Sequence, residues 1–289
     1  MTDAANAIAA AASGKGAKDE NFPVAALLRA QYRPAVMAFY NFVRAGDDVA
    51  DNPTLAPQEK LALLDQLADA LTGEGAGHPV ALPLKQSLAE RNLSPRHALD
   101  LLDAFRLDVT KNRYRDFDDL IDYCRLSAMP VGRFVLDLHG ESQNAWPAND
   151  ALCAALQIIN HLQDCGKDYR TLGRVYLPEE TLLRHGADVA MLAQPAAPAP
   201  LRAALAELAQ RTQDLLAQSA IFPRQVRDLR LAMNVAAIQK LAERLNQGLL
   251  TRDPLSQNVH ASKASFVLSC ATAALATLVR RAAPAGGAA

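Results

Sequence analysis

Apolar residues recur at intervals of three and four along most of the chain, which is the periodicity of amphipathic α-helices. No alternating apolar and polar run is long enough to indicate a sheet, so the pattern predicts an all-α protein. The predicted helices cover residues 25–50, 57–71, 79–91, 118–140, 149–169, 201–219, 225–250 and 262–281. A further helix, the fourth in the chain, is predicted to begin at Pro95, with Ser94 as its cap.

Prolines, glycines and polar clusters mark the ends of these helices. Pro34 is predicted to mark an entry point or a kink in the first one, and Asn52-Pro53 ends it, because the residue before a proline avoids helical geometry. Residues 170–178 are predicted to form a loop, and the Ala- and Pro-rich stretch 187–200 a linker. The chain is therefore expected to have a disordered arm at 1–18, one helical domain at 19–282 and a flexible tail at 283–289.

Composition narrows the class of protein. Half of the 289 residues are hydrophobic and only 5% are aromatic, with Ala and Leu dominating, which favours a large helical core. The formal net charge is -1, so no overall field attracts nucleic acid. The longest apolar run, residues 266–279, is too short for a span of about 20 residues. These features predict a cytoplasmic protein, with peripheral membrane contact left open and the oligomeric state unassigned.

The four cysteines and six histidines show no spacing typical of a metal or redox site. Cys124, Cys153, Cys165 and Cys270 are scattered and suggest neither a disulfide framework nor a zinc site. His161 stands beside an acidic stripe described below, and we interpret it as a packed or capping residue.

The first stretch with candidate chemistry lies at the end of the first predicted helix. Asp47, Asp48 and Asp51, hereafter the first acidic set, share a helix face with Arg44. They occupy the last turn, where the helix dipole disfavours each carboxylate by roughly 0.3–1 kcal/mol. A solvated charged helix end is one interpretation. Bound divalent cations are the other, because carboxylates are hard oxygen ligands that suit Mg²⁺.

A second polar stripe lies on the helix predicted at 149–169. Asn160, Asp164 and Asp168, hereafter the second acidic set, follow one another at steps of four along an otherwise apolar segment. Buried carboxylates need partners. Buried Arg or Lys from other helices would meet that need, and so would metal ions.

Taken together, the two sets indicate one kind of site. Two acidic ridges on apolar helices can face each other across a bundle, hold several Mg²⁺ ions and thereby bind a diphosphate. Metals would neutralise the leaving group, and apolar walls would protect a carbocation from water. The two sets thus predict an enzyme that ionises a diphosphate ester.

Four segments carry a resemblance to a known family. They are Tyr40-xxx-Arg44-xx-Asp47-Asp48-xx-Asp51, the stretch from Tyr123 to Gly132 (YCRLSAMPVG), Asn160-xxx-Asp164-xxx-Asp168, and the stretch from Gly173 to Pro178 (GRVYLP). In order and spacing they resemble the squalene/phytoene synthase family over roughly residues 21–266. The resemblance implies the isoprenoid synthase fold, a helical bundle with a central cavity.

The resemblance also implies roles for individual residues. Both acidic sets would supply the Mg²⁺ and diphosphate ligands, and Tyr123 would line the cavity near the reacting carbons. Further contacts to the diphosphate or the site are implied for Tyr40, Arg44 and Gln163. Weaker candidates, which would close the site over the diphosphate, are Lys167, Arg174, Tyr176, Arg252 and Lys263.

Finer features resemble one branch of the family, the bacterial hopanoid-pathway hydroxysqualene synthases. Those features are the Pro130 segment, the Asp164-to-Tyr169 stretch (DCGKDY), Arg252-Asp253-Pro254-Leu255, and Glu20-Asn21-Phe22-Pro23-Val24 in place of a Ser-x-Ser-Phe segment. The implied reaction converts presqualene diphosphate and water to hydroxysqualene and diphosphate, and no nicotinamide is expected. Some relatives have a tyrosine near the substrate at the place of Leu249 and Leu250. We therefore do not assign that role to either leucine.

Two other functions remain open from the sequence. A condensing transferase, which joins prenyl diphosphates such as farnesyl diphosphate into presqualene diphosphate, squalene or a carotenoid precursor, would share the fold and the carboxylates. A helical assembly or chaperone protein would have kept the scaffold but is expected to have broken aspartate motifs, whereas both are intact here.

Overall fold

The computed structural model describes residues 28–74 and 77–260, together with the isolated positions 8, 11, 272, 273 and 277. Within these residues α-helices and short 3-10 helices are the only regular elements, which confirms the predicted all-α class. The predicted arm at 1–18, the 20–24 segment, Lys263, most of the helix predicted at 262–281 and the tail at 283–289 lie outside the described residues.

The described residues fall into two compact units. Unit 1 comprises those within 1–112 and 121–140, and unit 2 those within 113–120 and 141–289. The helices of unit 1 are α1 (Arg33–Asp51), α2 (Pro57–Thr72), α3 (Ala81–Glu90), α4 (Arg96–Thr110), the second part of α5 (Phe117–Ser127) and α6 (Met129–Leu138). Those of unit 2 are the start of α5, α7 (Trp146–Leu172), α8 (Glu179–Arg184), α9 (Ala199–Ser219), α10 (Phe222–Gln225) and α11 (Leu229–Thr251).

Unit 1 is held together by apolar side chains from α1, α4 and α6. The rings of Phe39 and Phe134 stack with centroids 4.0 Å apart, and Phe42 is fully buried. Close packing of α1 on α4 depends on Gly46, because a Cβ atom there would lie 2.9 Å from side-chain atoms of Leu102 and Phe105. This contact fixes the position of the last turn of α1.

Unit 2 is built around α7, which packs against α9 and α11. Its buried face uses small residues such as Ala154 and Ala155 beside Ile158, so neighbouring helices can approach closely. Asn246 joins α11 to α9, since its side-chain amide donates to the Ala209 carbonyl at 2.9 Å. The two helices that pack against α7 are therefore also bonded to each other.

Several predicted boundaries were wrong. The first helix begins at Arg33, with Pro34 in its first turn, and the fourth begins at Arg96, where the backbone N–H donates to Ser94 Oγ at 3.1 Å. The helix predicted at 118–140 is two helices, interrupted at Ala128. Pro130 explains the break, because proline costs a hydrogen bond inside a helix but none in its first turn.

The C-terminal half shows similar corrections. The helix predicted at 225–250 breaks before Leu229, because Glu141 accepts from the backbone N–H of Arg227 and Asp228, at 2.8 and 2.7 Å, and the Asp228 side chain caps α11. Helix α7 continues into the predicted loop as far as Leu172. The predicted linker contains a 3-10 helix at Val189–Ala193.

Candidate active site

The first acidic set is organised around Arg44. Its guanidinium lies 3.0 Å from an Asp47 carboxylate oxygen and 2.8 Å from one of Asp48. The Asp48 side chain is 7% exposed and that of Arg44 19%, so this ion pair is largely shielded from water. Arg44 stands one turn before the aspartates, as the sequence predicted, and it aligns both carboxylates on one helix face.

Asp47 is in an unfavourable place for a negative charge. Burial, with the neighbouring charges of Asp51, Asp108 and Asp48, raises the pKa of the Asp47 carboxyl to about 7, although the Arg44 charge opposes the shift. The side chain retains 32% of its accessible surface, so water softens the desolvation. A cation bound here would relieve the remaining repulsion.

The end of α1 is stabilised by groups outside the acidic set. Lys60 Nζ donates to the Ala50 carbonyl at 2.8 Å, and thereby satisfies one of the free carbonyls of the last turn. The helix ends at Asn52, whose side-chain oxygen accepts from the backbone N–H groups of Thr54 and Leu55. These contacts hold the last turn in place despite the carboxylates that it carries.

Tyr123 lies in unit 1 with the first acidic set. Its hydroxyl donates to Asp108 Oδ2 at 2.9 Å, and its side chain is buried, with 4% exposure. Asp108 stands in the last turn of α4 and was not among the predicted site residues. Like Asp47, Asp108 is a carboxylate in the last turn of an apolar helix, and this is the sequence signal by which it could have been found.

The second acidic set lies along α7. Asn160, Asp164 and Asp168 are half-buried and share one helix face, between buried residues such as Ile159 and Leu162. Asp164 makes no hydrogen bond or ion pair with any residue that the structure describes. The alternative of a buried Arg or Lys partner is therefore not supported for Asp164 within the described residues.

An aromatic stack joins this part of α7 to two tyrosines outside the helix. The ring of His161 stacks on Tyr176 at 3.5 Å, and Tyr176 stacks on Tyr114 at 5.5 Å. Burial, with the nearby Arg174 charge, lowers the pKa of His161 to about 3, so the ring is neutral and accepts from Gln157 Nε2. His161 is thus packed, as predicted, and it supports two predicted site residues, Tyr176 and Arg174, which are both buried.

Two other predicted contacts on α7 have different surroundings. Gln163 is buried, and its amide donates to the Val259 carbonyl at 3.1 Å, so it holds the segment after α11 against α7. Lys167 is exposed. Cys165, beside the second acidic set, is buried, which raises the pKa of its thiol to about 12.

The predicted residues thus form two groups, one in each unit. Unit 1 carries Tyr40, Arg44, the first acidic set and Tyr123, whereas unit 2 carries the second acidic set, Gln163, Lys167, Arg174 and Tyr176. No group of three or more His, Cys, Asp or Glu side chains within the described residues is arranged to hold a metal ion by itself. In the same part of the chain, no helix combines the length and apolar character needed to cross a bilayer.

An all-α chain with carboxylate sets on two apolar helices has the features of a helical isoprenoid synthase. A squalene synthase from Alicyclobacillus acidocaldarius has a similar solved structure, with a TM-score of 0.72, 29% identity and coverage of 85% of this chain and 92% of that one. This similarity confirms the predicted fold class.

The sequence profile of the squalene/phytoene synthase family matches residues 16–265. The chain therefore belongs to the squalene/phytoene synthase family and is an enzyme. It is 52% identical to a hydroxysqualene synthase of Rhodopseudomonas palustris over 93% of this chain and 92% of the relative. It is also 52% identical to one of Zymomonas mobilis, over 89% and 87% of the two chains. These relatives confirm the resemblance to that branch.

Proposed function

We propose that this enzyme converts presqualene diphosphate and water to hydroxysqualene and diphosphate. Ionisation of the diphosphate ester gives a cyclopropylcarbinyl cation, which rearranges and is quenched by water. In this proposal each acidic set binds Mg²⁺ and diphosphate. The observation that carries it is the surplus of negative charge around Asp47, at the end of a helix, in a chain of a family that processes prenyl diphosphates.

The donor set around Asp47 fits Mg²⁺. Hard carboxylate oxygens are its usual protein ligands, and it takes only one or two of them when substrate phosphates complete the coordination. The proposed ligands are the members of the two acidic sets: Asp47, Asp48, Asp51, Asn160, Asp164 and Asp168. When bound, the metal would neutralise charge on the departing diphosphate.

The protein's own side chains contribute orientation and shielding. Arg44 fixes two carboxylates by its ion pairs, so their oxygens need little reorganisation when a cation binds. In unit 2, the stack of His161 on Tyr176 holds the segment that carries Arg174, and we assign Arg174 to the diphosphate. The buried rings of Phe39 and Phe42 on α1 exclude water from the adjoining core.

Two observations favour the lyase over a condensing transferase. The relatives that match nearly the whole chain at 52% identity bear the name hydroxysqualene synthase. The Met129-Pro130-Val131-Gly132 segment is one of those that resemble this branch, and Pro130 lies in the first turn of α6, immediately after the helix that carries Tyr123.

The test supplies purified enzyme with presqualene diphosphate and Mg²⁺ without NADPH, and a parallel reaction with farnesyl diphosphate. Mass spectrometry reads the products. We expect hydroxysqualene from the first reaction and no product from the second. Presqualene diphosphate or a hydrocarbon formed from farnesyl diphosphate would overturn the lyase proposal and identify a condensing synthase.

A further inference from the structure

Asp108 is a carboxylate that the proposed diphosphate chemistry does not yet use. It is half-buried in the last turn of α4, and its Oδ2 atom accepts the hydroxyl hydrogen of Tyr123 at 2.9 Å. A hydrogen bond to an ionised acceptor is among the stronger side-chain contacts. The bond therefore fixes both the direction of the Tyr123 hydroxyl and the orientation of its buried ring.

The packing of α1 on α4 brings Asp108 towards the first acidic set. Leu102 and Phe105 lie against Gly46, where an added Cβ atom would be 2.9 Å from each side chain. Asp108 follows Phe105 by three residues, so it continues the same face of α4 by one turn. Gly46 likewise precedes Asp47 directly. The negative charge of Asp108 accordingly acts on Asp47.

We infer that Asp108 is a positioning residue that links Tyr123 to the first acidic set. It holds the Tyr123 hydroxyl as a donor, and it adds a fourth carboxylate to the field that a Mg²⁺–diphosphate complex would meet. A phenol that donates to a carboxylate gains electron density on its ring, and an electron-rich ring face favours a nearby cation. This inference rests on the proposed function and adds a residue to it.

A double-mutant cycle on turnover tests the link to Tyr123. Asp108→Asn keeps the shape of the side chain and removes its charge, and Tyr123→Phe removes the donated hydrogen. Each single variant is expected to lower kcat by about 10-fold or more, with a smaller change in KM. Because both substitutions break the same hydrogen bond between Tyr123 and Asp108, the double variant should be no slower than the slower single variant. Losses that multiply would overturn the link.

A binding measurement tests the effect on the first acidic set without turnover. The thermal stabilisation of each protein by inorganic pyrophosphate is followed as Mg²⁺ is added. Asp108→Asn should raise the half-saturating Mg²⁺ concentration by about threefold or more, because one carboxylate has lost its charge. An unchanged titration would overturn this part of the inference.

Asp103→Asn is the matched control, because Asp103 lies on the same helix in a partly exposed ion pair with Arg106. It should leave both measurements unchanged, and parallel effects in this variant would also overturn the inference. Failure of the lyase proposal is recognised separately. If the wild-type enzyme condenses farnesyl diphosphate instead, the cycle is run on that reaction, and the pyrophosphate titration is the same in either case.

Discussion

The first acidic set is crowded with charge, whereas the carboxylates of the second stand one turn apart along a single helix. Asp47 and Asp48 share Arg44 as an ion-pair partner, next to the charges of Asp51 and Asp108. Asp164 has no hydrogen bond or ion pair with any described residue. One region is therefore arranged in advance by its own salt bridges, whereas in the other the described residues give Asp164 no such partner.

The largest expected effect is on turnover, and it should be equal in the two regions. Asp48→Asn and Asp164→Asn are each expected to lower kcat by about 10²- to 10³-fold or more, because both carboxylates are proposed to bind the metal–diphosphate complex. Steady-state kinetics measures this loss, with circular dichroism to show that the fold is retained. The exposed Asp214 on α9 provides a control, Asp214→Asn, for unit 2. Retained activity in either variant would remove that residue from the metal site.

The same two variants should differ in stability without Mg²⁺. Asp48→Asn removes one partner of a shielded ion pair and should lower the free energy of unfolding by about 1–3 kcal/mol. Asp164→Asn breaks no described contact, so its free energy of unfolding should stay within about 0.5 kcal/mol of wild type. Urea denaturation in EDTA measures both values. Equal losses in the two variants would contradict the difference between the regions.

The regions should also respond to pH in opposite directions. Asp47 has a raised pKa in the folded protein, so its contribution to stability is greatest below pH 3.8 and is lost as the pH rises towards 7. His161 has a lowered pKa, so its contribution is present above pH 6.5 and is lost as the pH falls towards 3. Between about pH 4 and 6.5 the two groups therefore oppose each other.

Two variants separate these contributions in metal-free protein. Asp47→Asn should make the free energy of unfolding rise more steeply with pH between 4.5 and 6.5 than in wild type, and His161→Phe, which keeps a ring for the stack on Tyr176, should make it rise less steeply. Each complete titration corresponds to roughly 1.4 kcal/mol per pH unit, reduced for Asp47 because water reaches its side chain. Parallel pH profiles in all three proteins would contradict both assignments.

How much the sequence predicted also differs between the regions. The acidic sets were found because their residues are close in sequence and a single helix dictates their relative positions. Asp108 has the same local signal as Asp47, but its relation to Asp47 depends on the packing of α1 on α4, and that packing depends on Gly46. Periodicity within a helix does not reveal contacts between helices.

Helix boundaries show the same limit. Asn52-Pro53 marked the end of α1 correctly, but the break before α11 depends on Glu141, which is distant in sequence and binds the backbone N–H groups of Arg227 and Asp228. Gln163, a predicted site contact, also donates its amide to the Val259 carbonyl, a contact that the sequence does not reveal. Local patterns therefore predicted the helices, whereas tertiary hydrogen bonds determined how some of them end.

The smallest expected effects come from glycines that allow close packing in each region. Gly46→Ala places a Cβ atom 2.9 Å from the buried Phe105 ring, and Gly166→Ala places one 3.2 Å from the Leu192 carbonyl. Each should lower the free energy of unfolding by about 1–2 kcal/mol, because overpacking outweighs the gain in helix propensity. Thermal denaturation measures both losses.

Activity should distinguish the two glycine variants further. Displacement of α1 from α4 in Gly46→Ala would move Asp47 relative to Asp108 and should raise the half-saturating Mg²⁺ concentration. Gly166 lies between Asp164 and Asp168 in the sequence, but it packs towards Leu255. Gly166→Ala should therefore disturb that packing with a smaller change in the Mg²⁺ requirement. A larger Mg²⁺ effect in Gly166→Ala would show that the second acidic set, rather than the first, depends more closely on helix packing.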